Sequence, residues 1–209
     1  APATLPSGEH ETAIERLVLR YLASFGPATV ADIAQFTMLT RSVLRAALER
    51  LGREVVRLEG PAGADELHDV AGMEVAADGP APPRLLPMWD SVLLAYADRS
   101  RVIPGPYRAH VIRRNGDVLP TLLVDGRVVG VWRYRQGTVE AAAFEPLARA
   151  DWSGLEAEAA GLVRLIAERD PELYGRHRRW WEQVPALETR VLARRGAPDA
   201  RQSWAGRLA

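Results

Sequence analysis

Arg84-Leu-Leu-Pro-Met-Trp-Asp90, Asp98-Arg-Ser-Arg-Val102 and Val124-Asp-Gly-Arg-Val-Val-Gly-Val-Trp-Arg133 mark out the stretch that decides the fold of this 209-residue chain. Between residues 108 and 144 three dipeptides read as hairpin turns: Asn115-Gly116, Asp125-Gly126 and Gln136-Gly137. The first two suit a type I′ turn, whose central residues both need positive φ. The runs between them, 119–124 and 128–134, are rich in β-branched and aromatic side chains. Such residues fit a pleated, half-buried surface, so a four-stranded antiparallel meander is expected here.

Upstream the period changes from two to 3.6. Residues 12–25 place Ile14, Leu17, Val18, Tyr21 and Leu22 on one helical face. Gly26-Pro27 stops that helix, and Thr29 with Asp32 three residues on reads as a capping box for a second one carrying Val30, Ile33, Ala34 and Phe36 inward. Thr40 caps a third helix over 40–51, with Val43, Leu44, Ala47, Leu48 and Leu51 as its apolar stripe. Two β-prone runs, 54–58 and 66–70, flank Gly60-Pro61-Ala62-Gly63. Three helices followed by a two-stranded wing is the winged-helix pattern.

The expected fold class is therefore α+β: a winged helix-turn-helix, then a small antiparallel meander with C-terminal helices. The boundaries are a flexible N-terminus over 1–11, the winged-helix domain over 12–72, and a proline-stiffened linker over 73–83. The sheet with its helices follows over 84–195, and a tail over 196–209. Helices are expected at 151–169, with Leu155, Ala159, Leu162, Val163 and Ile166 inward, and at 171–181 and 187–195. The Trp89 segment, the sheet and a later helix also offer the parts of a second winged-helix module.

Net charge is zero, but its distribution is uneven. Residues 1–97 hold 8 Arg against 13 acids, whereas 99–135 hold 8 Arg against Asp117 and Asp125 alone. The chain has no Lys. Arginine presents a planar fork to phosphate and to guanine edges. A GC-rich genome also produces all-arginine usage, so the clustering is the signal rather than the residue type.

Two groups of side chains follow from this. Arg41, Ser42 and Arg45 lie on the outer face of the third helix, the recognition element of a winged helix; Glu49 on the same side leaves a merely solvated face as the alternative. Arg113 and Arg114 flank Asn115-Gly116, and Arg127 follows Asp125-Gly126, where an arginine gains from the negative potential of a minor groove. The alternative is that these charges blunt sheet edges against aggregation. Arg99, Arg101 and Arg133 complete the basic set.

Other chemistry finds no pattern. His10, His68, His110 and His177 lack ligand spacing, so no metal is expected. The sequence carries no Gly-rich phosphate loop and no nucleophile elbow around Ser91, Ser100 or Ser153, so no cofactor and no catalytic residue are assigned. Cysteine is absent, excluding disulfides, and no apolar run reaches membrane-spanning length. The cytoplasm is the expected compartment, with nucleoid association when bound. The motif His177-Arg-Arg-Trp-Trp181 reads either as a stacking surface for nucleic acid or as an amphipathic helix packing its tryptophans.

Taken in order, Tyr21-Leu-Ala-Ser-Phe-Gly-Pro-Ala-Thr-Val-Ala-Asp32 and the three motifs quoted at the outset resemble the C-terminal two-thirds of the AlkZ/YcaQ-like DNA glycosylases, over residues 12–169. The resemblance implies tandem winged helices, double-stranded DNA, intact or damaged, as partner, and metal-free excision of alkylated or crosslinked bases. The family's catalytic Gln-hydrophobic-Gln or Gln-hydrophobic-Asp motif sits in an N-terminal module. Here Gln35, Gln136, Gln183 and Gln202 stand singly, and the residues before Thr12 are too few for that module. The expectation is a DNA-binding chain that is not catalytic by itself, either a piece of a monofunctional DNA glycosylase or a shortened relative. The rival expectation is a transcriptional regulator whose sheet domain binds a ligand or dimerises. The oligomeric state stays open.

Overall fold

The computed structural model describes residues 7–60, 65–73, 79–169 and 178–196. Its fold class is α+β with antiparallel sheets, as the sequence implies, and it divides into two units. The first is Ala1–Asp78 with Ser91–Arg99; the second is Gly79–Asp90 with Ser100–Ala209.

In the first unit, α1 (Ser7–Phe25), α2 (Val30–Thr37) and α3 (Arg41–Leu51) enclose one core. Ile14, Val18, Tyr21 and Leu22 of α1 meet Ile33 of α2 and Leu44, Ala47, Leu48 and Leu51 of α3. Val43, expected in that stripe, is 37% exposed: a helix of 3.6 residues per turn cannot bury 43 as well as 44, 47, 48 and 51. The start of α2 is the reciprocal cap the sequence announces. Thr29 Oγ1 accepts the Asp32 amide at 3.1 Å, and Asp32 Oδ2 accepts the Thr29 amide at 2.9 Å. Thr40 does the same job for α3, its hydroxyl accepting the Val43 amide.

An antiparallel pair follows, β1 (Val55–Leu58) and β2 (Leu67–Val70), with Val55 opposite Val70. Ala28 joins this hairpin through a bridge to His68, exchanging amide bonds of 2.9 and 2.8 Å. The loop expected at 60–63 lies mostly outside the described residues.

Two expectations change here. Helix α1 begins at Ser7, so residues 7–11 are helical rather than a flexible lead. The segment 91–99, including α4 (Ser91–Leu94), belongs to the first unit and not to the sheet domain. Tyr21 donates its hydroxyl to the Ala95 carbonyl at 2.7 Å, Tyr96 donates to Phe25 at 2.9 Å, and Asp32 Oδ1 accepts the Ala97 amide at 2.8 Å. Polar side chains reaching backbone 65 or more residues away leave no periodicity to read.

The second unit is a five-stranded antiparallel sheet in simple order: β3 (Arg84–Leu86), β4 (Thr121–Val124), β5 (Arg127–Arg135), β6 (Thr138–Ala143) and β7 (Glu188–Arg194). One face packs against α6 (Arg149–Arg169), whose Trp152, Leu155, Ala159, Val163 and Ile166 repeat at helical spacing. Across from them lie Leu85, Leu122, Trp132, Tyr134, Val139, Ala141 and Ala143.

The meander differs from expectation at both ends. Residues 108–111 are the short helix α5 (Arg108–Val111), and Asn115-Gly116 turns the chain back only between the bridged pair Ile112 and Val118. Of that dipeptide only Gly116 has positive φ, at 87°, so the turn is not type I′. Asp125-Gly126 is of that kind, and so is Gln136-Gly137, each with positive φ at both residues. Residues 188–194 form an edge strand, not a helix: Val191 and Leu192 fit either period, and the open edge of β6 decides. Of the helix expected at 171–181, α7 (Arg178–Trp181) is described; the rest, like the tail from 197, lies outside the described residues.

Two substitutions test this packing. Asp32→Ala removes a cap and strands the Thr29 and Ala97 amides, and is expected to destabilise the protein by about 2–3 kcal/mol in urea unfolding, with Asp32→Asn milder. A change below roughly 0.5 kcal/mol would refute the role given to Asp32. At Gly130 an added Cβ would stand 2.4 Å from the Ala142 carbonyl oxygen and 2.9 Å from the Ala143 Cα. Gly130→Ala should therefore cost about 1–3 kcal/mol, read as a lowered melting temperature.

Candidate nucleic-acid interface

The first unit presents Arg41, Ser42 and Arg45, all exposed, on the first turn and a half of α3. Burying Leu44, Ala47, Leu48 and Leu51 sends 42, 45 and 49 to the opposite side, while Arg41, on the same line as Leu48, is exposed because it opens the helix. The Thr40 cap and the unsatisfied amides of the first turn add partial positive charge. Arg50 is not part of this group: its Nε binds Glu15 Oε1 at 2.6 Å.

Beside α3 lies a polar hollow lined by Val30, Arg45, Leu48, Glu49, Arg57, Asp65, Glu66 and His68. It is of mixed sign, and Arg57 and Glu66 face each other across β1 and β2 at 3.7 Å. His68 is 6% exposed, and its Nδ1 has no hydrogen-bond partner among the described residues. Burial holds its imidazole below the ordinary value near 6.5, with Arg57 acting in the same sense and Glu66 opposing.

In the second unit the predicted arginines divide by environment. Arg114 is exposed on the 113–117 turn, whereas Arg113 donates to Gln183 Oε1 at 2.7 Å and lies 5.7 Å from the Trp180 ring centre. Arg127 is exposed at the start of β5, lining a groove with Asp125, Glu145 and Asp151. In that groove the Tyr107 hydroxyl donates to Glu145 at 2.6 Å, a bond that raises the phenol pKa. Arg133 is half-buried, with its Nε on Glu140 Oε2 at 2.5 Å and its guanidinium 4.4 Å from the Trp181 ring centre. Arg101 is exposed on the 3-10 turn Arg99–Arg101; Arg99, the last residue of the first unit, is half-buried.

The structure thus brings Arg113 and Arg133 together at the Trp180-Trp181 turn, and sets Arg127 about 20 Å along β5 from Arg133 at 3.3 Å per residue. Sequence reasoning assigned no role to Trp89. Its ring is 41% exposed, and its Nε1 donates to the Gly116 carbonyl at 3.2 Å, beside Arg114. The Asn115-Gly116 signal places the turn, but nothing local shows that an indole 27 residues away braces it.

The sequence profile of the family described as DNA glycosylase AlkZ-like matches residues 1–165. The chain belongs to the AlkZ-like DNA glycosylase family. It is 28% identical over 161 residues to an interstrand DNA cross-link repair glycosylase of Streptomyces sahachiroi, a match covering 75% of this chain and 43% of that protein. Its fold superposes on the structure of Streptomyces sahachiroi DNA glycosylase AlkZ with a TM-score of 0.66 and 25% identity, over 78% of this chain and 44% of that one. This AlkZ-like chain spans less than half the length of either relative. No described helix is long and apolar enough to cross a membrane.

His68 is expected to make the stability of the first unit pH-dependent. With its pKa lowered in the fold, the unfolded chain binds more protons just below pH 6.5, so stability is complete above 6.5 and falls as pH drops through that value. Chemical denaturation from pH 7.5 to 5.5 should show this loss, and His68→Gln should flatten it. An unchanged slope in His68→Gln would assign the loss to other groups.

Proposed function

We propose that this chain is a duplex-gripping part of an AlkZ-like DNA glycosylase that repairs alkylated or crosslinked DNA, and that it does not excise bases by itself. The observation that carries the reading is the family match over residues 1–165. The similar Streptomyces sahachiroi protein is an interstrand DNA cross-link repair glycosylase, which suggests the lesion class. In this reading α1–α3 with β1 and β2 form a winged helix, α3 enters a groove by its capped end, and Arg41, Ser42 and Arg45 meet phosphate or base edges.

The second unit contributes through its exposed cations. Arg101, Arg114 and Arg127 serve as phosphate contacts, and Arg99 does the same from the first unit. Arg113 and Arg133 serve instead as braces, because each is already held by an acceptor and an indole. Breaking a satisfied, half-buried pair to meet a phosphate recovers little. With its glutamines standing singly, the chain is assigned no residue for water activation or the stabilisation of sugar charge. Such a chain works in the cytoplasm, on the nucleoid.

Fluorescence anisotropy with intact and abasic-site duplexes across a salt series tests the proposal. Affinity should fall on a log–log slope of several units, and each of Arg41→Glu, Arg45→Glu and Arg114→Glu should make it shallower by about one. Absence of binding at low salt would overturn the DNA reading. Slopes unmoved by all three changes would overturn the surface.

A further inference from the structure

The sheet of the second unit has a face that α6 does not cover. Cross-strand register fixes what stands on it. Val131, Ala142 and Thr189 form one row, Arg133, Glu140 and Val191 the next, and Arg135, Thr138 and Arg194 the last. Over part of this face sits the turn carrying α7. Leu119, Pro120, Val131, Arg133, Tyr134 and Arg135 from the sheet side, with Trp180, Trp181 and Val184 opposite, line a partly open slot.

The slot combines three properties. Its walls are aromatic, and both tryptophans are only half-buried. The indoles are held in place: Trp181 by the Arg133 guanidinium, itself fixed by Glu140, and Trp180 beside Arg113, which is anchored on Gln183. The slot is also cationic, because Arg133 and the exposed Arg135 line it and the exposed Arg194 stands in the same cross-strand row as Arg135. Arg135 and Arg194 flank Thr138 from neighbouring strands, about 10 Å apart at strand spacing. Residues 178–196 contain five Arg against Glu182 and Glu188. Aromatic faces framed by arginines accept a planar base with its phosphate, a pairing that tolerates any sequence.

We propose that this slot holds one unstacked nucleotide of a DNA strand, its base against Trp181 and Trp180 and its phosphates on Arg135 and Arg194. The inference deepens the DNA reading above and shares its partner. It concerns a different surface, since Trp180, Trp181 and Val184 of the slot lie beyond the reach of the family match at residue 165. A duplex keeps its bases stacked and cannot fill the slot. Single-stranded or distorted DNA can.

The test compares a fluorescein-labelled ten-residue oligodeoxythymidylate with a ten-residue strand of the same backbone lacking bases. The intact protein should bind the first at least tenfold more tightly and lose indole emission on titration. Trp181→Ala should erase that preference, Trp181→Phe should restore part of it, and the exposed Arg135→Glu should weaken both strands. Equal affinity of the wild-type protein for the two strands overturns the proposal, whatever the variants do. So does a Trp181→Ala protein that binds duplex more tightly, since the tryptophan turn would then be a cover over Arg133. Failure of duplex binding with the base preference intact would sink the groove-binding surface and leave the slot standing.

Discussion

The pleat of β5 is the constraint on which the second unit depends. Side chains alternate sides with period two, so burying Trp132 and Tyr134 beneath α6 leaves Arg133 and Arg135 no choice but the other face. A one-residue slip would bury guanidinium groups among Trp152 and Leu155 and expose two large aromatics, so the register is fixed by many kcal/mol of mismatch. Gly130 sits at the tight point of this arrangement, where the β6 backbone passes too close for any Cβ. The bulge where β4 meets β5 then reverses the alternation, so Arg127, opposite Val124, leaves the face of Arg133 and lines the groove with Asp151 at the strand's start. Basic character on this sheet is thus a by-product of its core, made available to a partner.

The arginines of the second unit are not equivalent. A guanidinium with a carboxylate at 2.5 Å and an indole beneath it is neutralised and immobilised. An exposed one retains its full field and its freedom. Counting charge along the sequence treats Arg113, Arg114, Arg127 and Arg133 alike, which is why the basic stretch was legible and its division was not. The partners that divide it, Gln183, Trp180 and Trp181, stand up to 70 residues further on.

Legibility follows the range of each interaction. Thr29 with Asp32 and Thr40 with Val43 are caps closed within four residues, and both were readable from the chain. Asp125-Gly126 was readable because its turn needs only its own two φ angles. The strand at 188–194 was not. Its apolar residues fit a helix as well as a strand, and only the open edge of β6, some fifty residues earlier, selects pairing. The return of 91–99 to the first unit depends likewise on Tyr21, Tyr96 and Asp32 meeting backbone far away in sequence.

This contrast bears on where function resides. The α3 surface is built by local rules and lies inside the family match, so its arginines are the part of the interface that a family resemblance can carry. The Trp180-Trp181 slot is built by non-local rules from one segment inside that match and one beyond it. A helix face with two exposed arginines suits the regular phosphate ladder of a duplex, which every sequence presents. Fixed indoles offer nothing to a stacked ladder and a great deal to a base that has left it. The function proposed for this chain would use both kinds of contact: a grip on regular helix and a place for the strand where that regularity fails.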